Sequence, residues 1–81
     1  MIINHILKLK DEFANSVLSG EKTFEIRYND RGYQKGDKIQ FSCLESCHPV
    51  EKRVYEITYL LHGWGLKEDW CVFGIKEVKN D

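Results

Sequence analysis

Several features that would assign the chain to a fibrous, disordered or membrane class are missing from its sequence. It contains one proline, and 31% of its 81 residues are charged, a composition unlike that of collagen or low-complexity chains. Its apolar runs are all shorter than the roughly 20 residues that a membrane-spanning helix needs, and its N-terminus lacks the apolar stretch of a signal peptide. We therefore expect a cytoplasmic protein without a membrane partner, folded as one small domain over residues 1–81.

A large net charge of either sign is also missing. The 12 Lys and Arg residues are balanced by 13 Asp and Glu residues, which leaves a formal net charge of −1. The protein as a whole therefore has no basic field to attract nucleic acid. Any such binding must come from a local basic patch.

The cysteines do not form a disulfide or metal pattern. The chain has three of them, and an odd number argues against a disulfide framework. Cys43 and Cys47, followed by His48, suggest zinc, but a tetrahedral site needs about four ligands, commonly as two close pairs, and no second pair is visible. We favour ordinary reduced thiols in or near a loop, and we expect no metal and no cofactor.

What the sequence does contain is a regular succession of patterned segments and turns. Alternating apolar and polar residues predict strands, and the clusters at 29–32 and 36–37 predict turns between them. The predicted elements, in chain order, are a strand over 2–9, a helix over 11–19, and strands over 22–28, 38–43, 53–62 and 70–78.

The predicted helix is short and amphipathic. Its apolar residues follow a helical rather than a strand period. Asp11 is the expected N-cap, and Gly20 fits the left-handed residue that ends a helix. The apolar stripe consists of Phe13, Ala14, Val17 and Leu18.

Five short strands and one helix predict a mostly β (α+β) fold. We expect a mostly antiparallel sheet that curls into a small barrel, because curling removes exposed edges. A ferredoxin-like layer is less favoured, since the sequence lacks a second helix. The strand over 70–78 is nearly continuously apolar and is expected to be buried on both faces. The expected core positions of the preceding strand are Tyr55, Ile57, Tyr59 and Leu61.

The segment GEKTFEIR, residues 20–27, concentrates charge on one predicted strand. Alternation places Phe24, Ile26 and Tyr28 on one face and the polar residues, including Glu25 and Arg27, on the other. Because a surface strand needs only polarity on its outer face, a carboxylate beside a guanidinium indicates an outward-facing recognition site.

Each charged residue of this segment has a functional and a structural interpretation. Lys22 could contact phosphate or act as a base or nucleophile, or it could be an ordinary solvated lysine. Glu25 could accept a hydrogen bond from a base amine, and Arg27 and Arg31 could contact carbonyl or phosphate oxygens. The structural alternative is a surface Glu25–Arg27 pair worth well under ~1 kcal/mol.

Further candidate ligand contacts lie outside the strand. Asn29 and Asp30 either build the turn or contact the ligand. His5, in an apolar stripe, is either a core histidine or a residue at the edge of the cleft, with Lys8 beside it. Trp64, between two glycines, is either a platform for base stacking or a lid over the barrel mouth.

GEKTFEIR resembles the GxKxxExR signature of the ASCH superfamily, small β-barrels related to the PUA RNA-binding domain. Together with His5-Ile6-Leu7-Lys8, FEIRYNDRGYQKGD and WCVFGIKEV, it is similar to short bacterial ASCH-like proteins of a domain family of unknown function. The resemblance covers essentially the whole chain. It implies a cleft between the signature strand and the N-terminal helix that binds RNA, a nucleotide or a modified nucleoside.

The same resemblance bears on catalysis. Some small relatives are amidohydrolases of acetylated cytidine, which use the signature Lys, a Thr three residues later and a carboxylate near the last strand. Here Glu25 stands three residues after Lys22, and Thr23 is one step after it. We therefore expect a binding module rather than an enzyme. An amidohydrolase using Lys22 and Glu25 and a protein-interaction module remain the alternatives, and the oligomeric state stays open.

The binding hypothesis makes a prediction about where the charges lie. Lys22, Arg27 and Arg31 should line one concave face, with Lys8 at its edge. The carboxylates expected elsewhere, since they would repel phosphate, are Asp69, Glu77 and Asp81.

Overall fold

The structure, a computed structural model, describes residues 1–43, 45 and 47–79. None of the described helices is long and apolar enough to span a membrane. The prediction for Asp81 and part of the predicted loop after residue 43 lie outside the described residues. The elements are β1 (His5–Leu9), α1 (Asp11–Ser19), β2 (Phe24–Tyr28), β3 (Lys38–Cys43), a 3-10 helix (Pro49–Lys52), β4 (Val54–His62) and β5 (Trp70–Val78).

The five strands form one sheet in the order β1-β3-β4-β5-β2. Strand β1 pairs with β3 in parallel, and the other three pairings are antiparallel. The sheet curls into a half-barrel, so the mostly β fold with one short helix is confirmed. Strands β1 and β2 are its two free edges.

The core fills the concave side of the sheet. Helix α1 contributes Ala14 and Val17 to it, because the helix lies with its apolar stripe against the sheet. The buried cluster consists of Leu7, Leu9, Ala14, Val17, Tyr33, Ile39, Phe41, Val50, Tyr55, Ile57, Cys71, Phe73 and Ile75.

Helix α1 has the predicted bounds but not the predicted N-cap. Gly20 adopts φ +83° and donates its N–H to the carbonyl of Val17 at 3.1 Å, as expected of a left-handed C-cap. The N-cap residue is Lys10, which makes no side-chain capping bond. The Asp11 prediction was wrong because its carboxylate is used elsewhere, where it accepts from the N–H of Glu45 at 3.2 Å.

The predicted orientation of β2 was also wrong. Glu25 lies opposite Phe73 of β5, and Arg27 lies opposite Cys71. Residues directly opposite in an antiparallel pair share a face, and Phe73 and Cys71 belong to the core. The polar residues of β2 therefore face the concave interior. Its apolar residues keep 45–50% of their surface exposed: Phe24, Ile26 and Tyr28.

Two expectations for the last strands need correction. A register shift between Ile57 and Tyr59 reverses the alternation within β4. Tyr55 and Ile57 are buried as predicted, but Tyr59 is 66% exposed and Leu60 packs against the core in its place. Leu61, opposite Val72, shares the outer face with Tyr59.

Strand β5 is buried on one face rather than on two. Its buried residues are every second one along the strand, whereas their neighbours are exposed or half-buried. The buried residues are Cys71, Phe73 and Ile75.

Candidate functional site

A cleft of about 660 Å³ lies between the two free edges of the sheet. This volume is typical of sites for small molecules. Its walls come from β1, from β2 and the turn after it, and from the start of α1. The cleft therefore occupies the place where a closed barrel would have joined β1 to β2.

A cluster of three charged side chains, Lys22, Glu25 and Arg27, lines this cleft. One Glu25 oxygen, Oε1, accepts from Nζ of Lys22 at 2.6 Å, and the other, Oε2, accepts from Nε of Arg27 at 3.1 Å. The Glu25 side chain is only 5% exposed. A carboxylate is tolerated at this depth because both of its oxygens are paired with cations.

The local chain path places Lys22 over this carboxylate. After Gly20 ends the helix, the N–H of Lys22 donates to the carbonyl of Ser16 at 2.9 Å, which directs the chain into β2. Nζ of Lys22 also donates to the carbonyl of Phe24 at 2.8 Å. It lies 5.2 Å from the ring centroid of Phe13 and 5.0 Å from that of Phe24, within cation–π range.

Two arginines bridge the open seam of the half-barrel. Nη2 of Arg27 donates to the carbonyl of Lys8 at 2.7 Å, and Nη1 of Arg31 donates to the carbonyl of Ile6 at 3.1 Å. Both carbonyls belong to the edge strand β1, and none of the described strands pairs with β1 on that side. Guanidinium groups from β2 and its turn therefore replace the missing backbone hydrogen bonds.

Tyr33 is a cleft residue for which the sequence predicted no role. It lines the cleft although only 4% of its surface is exposed. Its ring lies 4.8 Å from that of His5 and 5.0 Å from that of Phe73. Burial raises the pKa of its phenol, and the charges of Arg27 and Arg31 partly oppose that rise. The available signal was its place directly after the 29–32 turn.

Aromatic side chains line the cleft as well and keep much of their surface accessible. Phe24 is 45% exposed, Tyr28 50% and Trp70 36%. The rings of Tyr28 and Trp70 meet edge to face with centroids 6.1 Å apart. Sequence patterning did not identify these residues as part of the cleft, because apolar residues in alternation are expected to face the core.

The structure brings six of the nine predicted site residues together. The charge prediction requires that four basic residues share one face, and all four line this cleft: Lys8, Lys22, Arg27 and Arg31. The other two that line it are Glu25, at its buried centre, and Asp30, whose side chain is 60% exposed with Oδ1 4.0 Å from Nε of Arg31. Asp69 and Glu77 do not line the cleft, also as predicted.

The remaining three lie outside the cleft. Nε2 of His5 is 2.7 Å from Oδ2 of Asp37, so this side chain ties β1 to the turn before β3. Asn29 accepts the N–H of Tyr33 at 3.2 Å and thereby builds the turn. Trp64 is 89% exposed in the β4–β5 loop and does not line the cleft.

In the segment of Cys43, Cys47 and His48, the histidine has a structural role. His48 is the N-cap of the 3-10 helix, where its Nδ1 accepts from the N–H of Val50 at 3.1 Å and its Nε2 donates to Oδ1 of Asn15 at 2.8 Å. Both ring nitrogens are therefore engaged. Burial raises the pKa of the Cys43 thiol. Within the described residues, no three potential ligands are grouped around a metal site.

The sequence matches one family model, described as a domain of unknown function (DUF3850), over residues 4–75. The matched range includes β1 through most of β5, and with them every described residue of the cleft. No curated protein matches the sequence.

Proposed function

We propose that this chain, which belongs to the DUF3850 family, is a module that binds RNA or a nucleotide in the cleft between β1 and β2. One observation carries the proposal. A chain of net charge −1 gathers five cations and two carboxylates around a single cleft, and one of those carboxylates is already paired with two of the cations. The cations are Lys8, Lys10, Lys22, Arg27 and Arg31.

The outer cations supply the contacts to phosphate. Lys8 and Lys10 are exposed, and their ammonium groups pair with none of the described side chains. The Arg31 side chain is 46% exposed and uses Nη1 for its bond to Ile6, which leaves Nη2 for a ligand. Exposed cations along a groove are the usual means of following a nucleic acid backbone.

The aromatic residues supply the contacts to bases. Phe24, Tyr28 and Trp70 offer accessible rings among these cations. Stacking on such rings contributes about 1–3 kcal/mol per base and tolerates any base, since every base has a π-face. Cations interleaved with accessible aromatics therefore favour single-stranded RNA or a mononucleotide over a double helix, whose bases are already stacked.

The inner cluster favours binding over amide hydrolysis. Lys22 donates to both Glu25 and the carbonyl of Phe24, and both Glu25 oxygens accept from cations. Neither group is free to serve as nucleophile or base. Thr23 is absent from the described lining of the cleft. Kinship with the ASCH superfamily, which we also propose from the GEKTFEIR signature, agrees with the binding role.

The test is fluorescence anisotropy with a labelled single-stranded RNA of mixed sequence, measured from low to moderate salt. We expect the logarithm of the affinity to fall by about 0.7 per phosphate contact for each tenfold rise in salt, so that three outer contacts give a slope of about −2. Arg31→Ala should weaken binding and reduce this slope.

Arg53→Ala is the matched control. Arg53 pairs with Glu77 at 2.9 Å and lies outside the cleft, so its loss should leave RNA affinity unchanged. Equal losses in the two variants would show that the cleft is not the binding site. Absence of binding to RNA, tRNA and nucleotides at low salt would refute the proposal, and deacetylation of acetylated cytidine would replace it with the enzyme hypothesis.

A further inference from the structure

The Tyr33 side chain places a hydroxyl donor in a largely buried position. It makes no hydrogen bond to any described residue. Among the described residues, only Oη of Tyr55 is both unpartnered and completely enclosed, so Oη of Tyr33 retains some contact with solvent. Tyr33 lines the cleft, and only 4% of its surface is exposed. The contact between its hydroxyl and solvent therefore lies in the cleft.

The surroundings hold the Tyr33 ring in place. His5 meets the Tyr33 ring edge to face, and Phe73 packs against it at a tilt. Asn29 fixes the backbone by accepting the N–H of Tyr33. A ring held on these sides loses little freedom when its hydroxyl binds a ligand, and this pre-organisation favours affinity.

Charge around the phenol oxygen selects what it can bind. Arg27 and Arg31 both act on it electrostatically, Asp30 acts in the opposite sense, and all three residues line the cleft. Burial raises the pKa of the phenol above its ordinary value of 10.0, so at neutral pH the group is an O–H donor. An O–H donor in a cleft that Arg27 and Arg31 also line is complementary to an anionic oxygen and not to the amine of a base.

We infer that Tyr33 contacts the ligand directly, its hydroxyl donating a hydrogen bond to a phosphate oxygen held by Arg31 and Arg27. This inference rests on the proposed function and deepens it, since it makes the phosphate, and not the base, the group that enters the deepest part of the cleft. The aromatic residues at 24, 28 and 70 then receive the base.

Tyr33→Phe tests this role, because it removes the hydroxyl and keeps the ring packing. With the same labelled RNA, we expect an affinity loss of about ten- to a hundredfold, the usual effect of deleting a hydrogen bond to a charged group. The salt slope should not change, because a neutral donor releases no counterion from the RNA. Arg31→Ala should reduce both the affinity and the slope.

Tyr55→Phe is the matched control, since its hydroxyl also has no partner among the described residues but lies outside the cleft. It should bind RNA as the unmodified protein does, and both Phe variants should unfold at the temperature of the parent within a few degrees. Unchanged binding by Tyr33→Phe while Arg31→Ala is impaired would overturn the inference and leave the proposed function standing. Equal losses in the two Phe variants would overturn it too, and failure of the parent protein to bind would remove both.

Discussion

The Lys22–Glu25–Arg27 cluster is best tested by Glu25→Gln, which keeps the size of the side chain and removes its charge. In the native protein, each oxygen of Glu25 accepts from one cation, at 2.6 Å from Lys22 and 3.1 Å from Arg27. The amide of Gln has one oxygen and one NH₂ group, and the latter cannot accept. One of the two cations must therefore face a donor.

The expected cost follows from how deeply the cluster is buried. Removing one partner of a fully buried pair costs about 3–5 kcal/mol, whereas exposed pairs contribute about 0.2–1 kcal/mol. The Glu25 side chain is 5% exposed, but those of Lys22 and Arg27 are 18% and 23% exposed, so water partly compensates the two cations. We expect a loss of about 1.5–3 kcal/mol in unfolding free energy, or about 6–24 °C in Tm for a domain of this size.

Urea unfolding followed by tryptophan fluorescence measures this loss, and Glu77→Gln provides the control. Glu77 accepts from Arg53 at 2.9 Å, but the Arg53 side chain is 48% exposed. The control should therefore lose less than about 1 kcal/mol. If Glu25→Gln costs no more than Glu77→Gln, the cluster is an ordinary surface ion pair and the reasoning is refuted.

Two further predictions concern strands β4 and β5. A Cβ added at Gly74 would lie 2.7 Å from Oγ1 of Thr58, whose branched side chain has few alternative rotamers. Gly74→Ala should therefore lower the unfolding free energy measured in urea by about 1–3 kcal/mol. Adding Thr58→Ala should recover part of that loss. Burial raises the pKa of the Cys71 thiol and of the Tyr55 phenol above their ordinary values of 9.0 and 10.0. The folded state therefore holds these protons more tightly than the unfolded state, so their contribution to the unfolding free energy should be constant below about pH 8 and should fall as the pH rises through 9 and 10. Stability that stays constant up to pH 10.5 would contradict this.

The sequence predicted the elements best where local signals agree. Helix α1 has the predicted bounds because its apolar stripe ends at Leu18 and is followed by Gly20, which adopts the expected left-handed conformation. The order of strands and helix is confirmed, and β3 has the predicted bounds. Periodicity and turn residues act over a few positions, so these features can be read without knowledge of the fold.

The same signals failed where an irregularity or a neighbouring strand intervened. The register shift in β4 places Tyr59 outward, although alternation from Ile57 predicts the reverse. In β2, alternation correctly assigned Glu25 and Phe24 to opposite faces of the strand, but it could not tell which face is buried. A one-residue change of register exchanges the two faces of a strand, and the pairing of β2 with β5 makes that choice.

For the site, the sequence by itself determined which charged residues take part. Lys22, Glu25, Arg27 and Arg31 stand within one short segment, and all four line the cleft. Only the tertiary structure decided what each of them touches. Arg27 reaches the carbonyl of Lys8, 19 residues away, and Arg31 that of Ile6, 25 residues away, because the curl of the sheet brings its two edges together. Only the tertiary structure made Tyr33 a candidate ligand contact, because the residues around its ring come from β1 and β5. Contacts between segments so distant in sequence leave no periodic pattern along the chain.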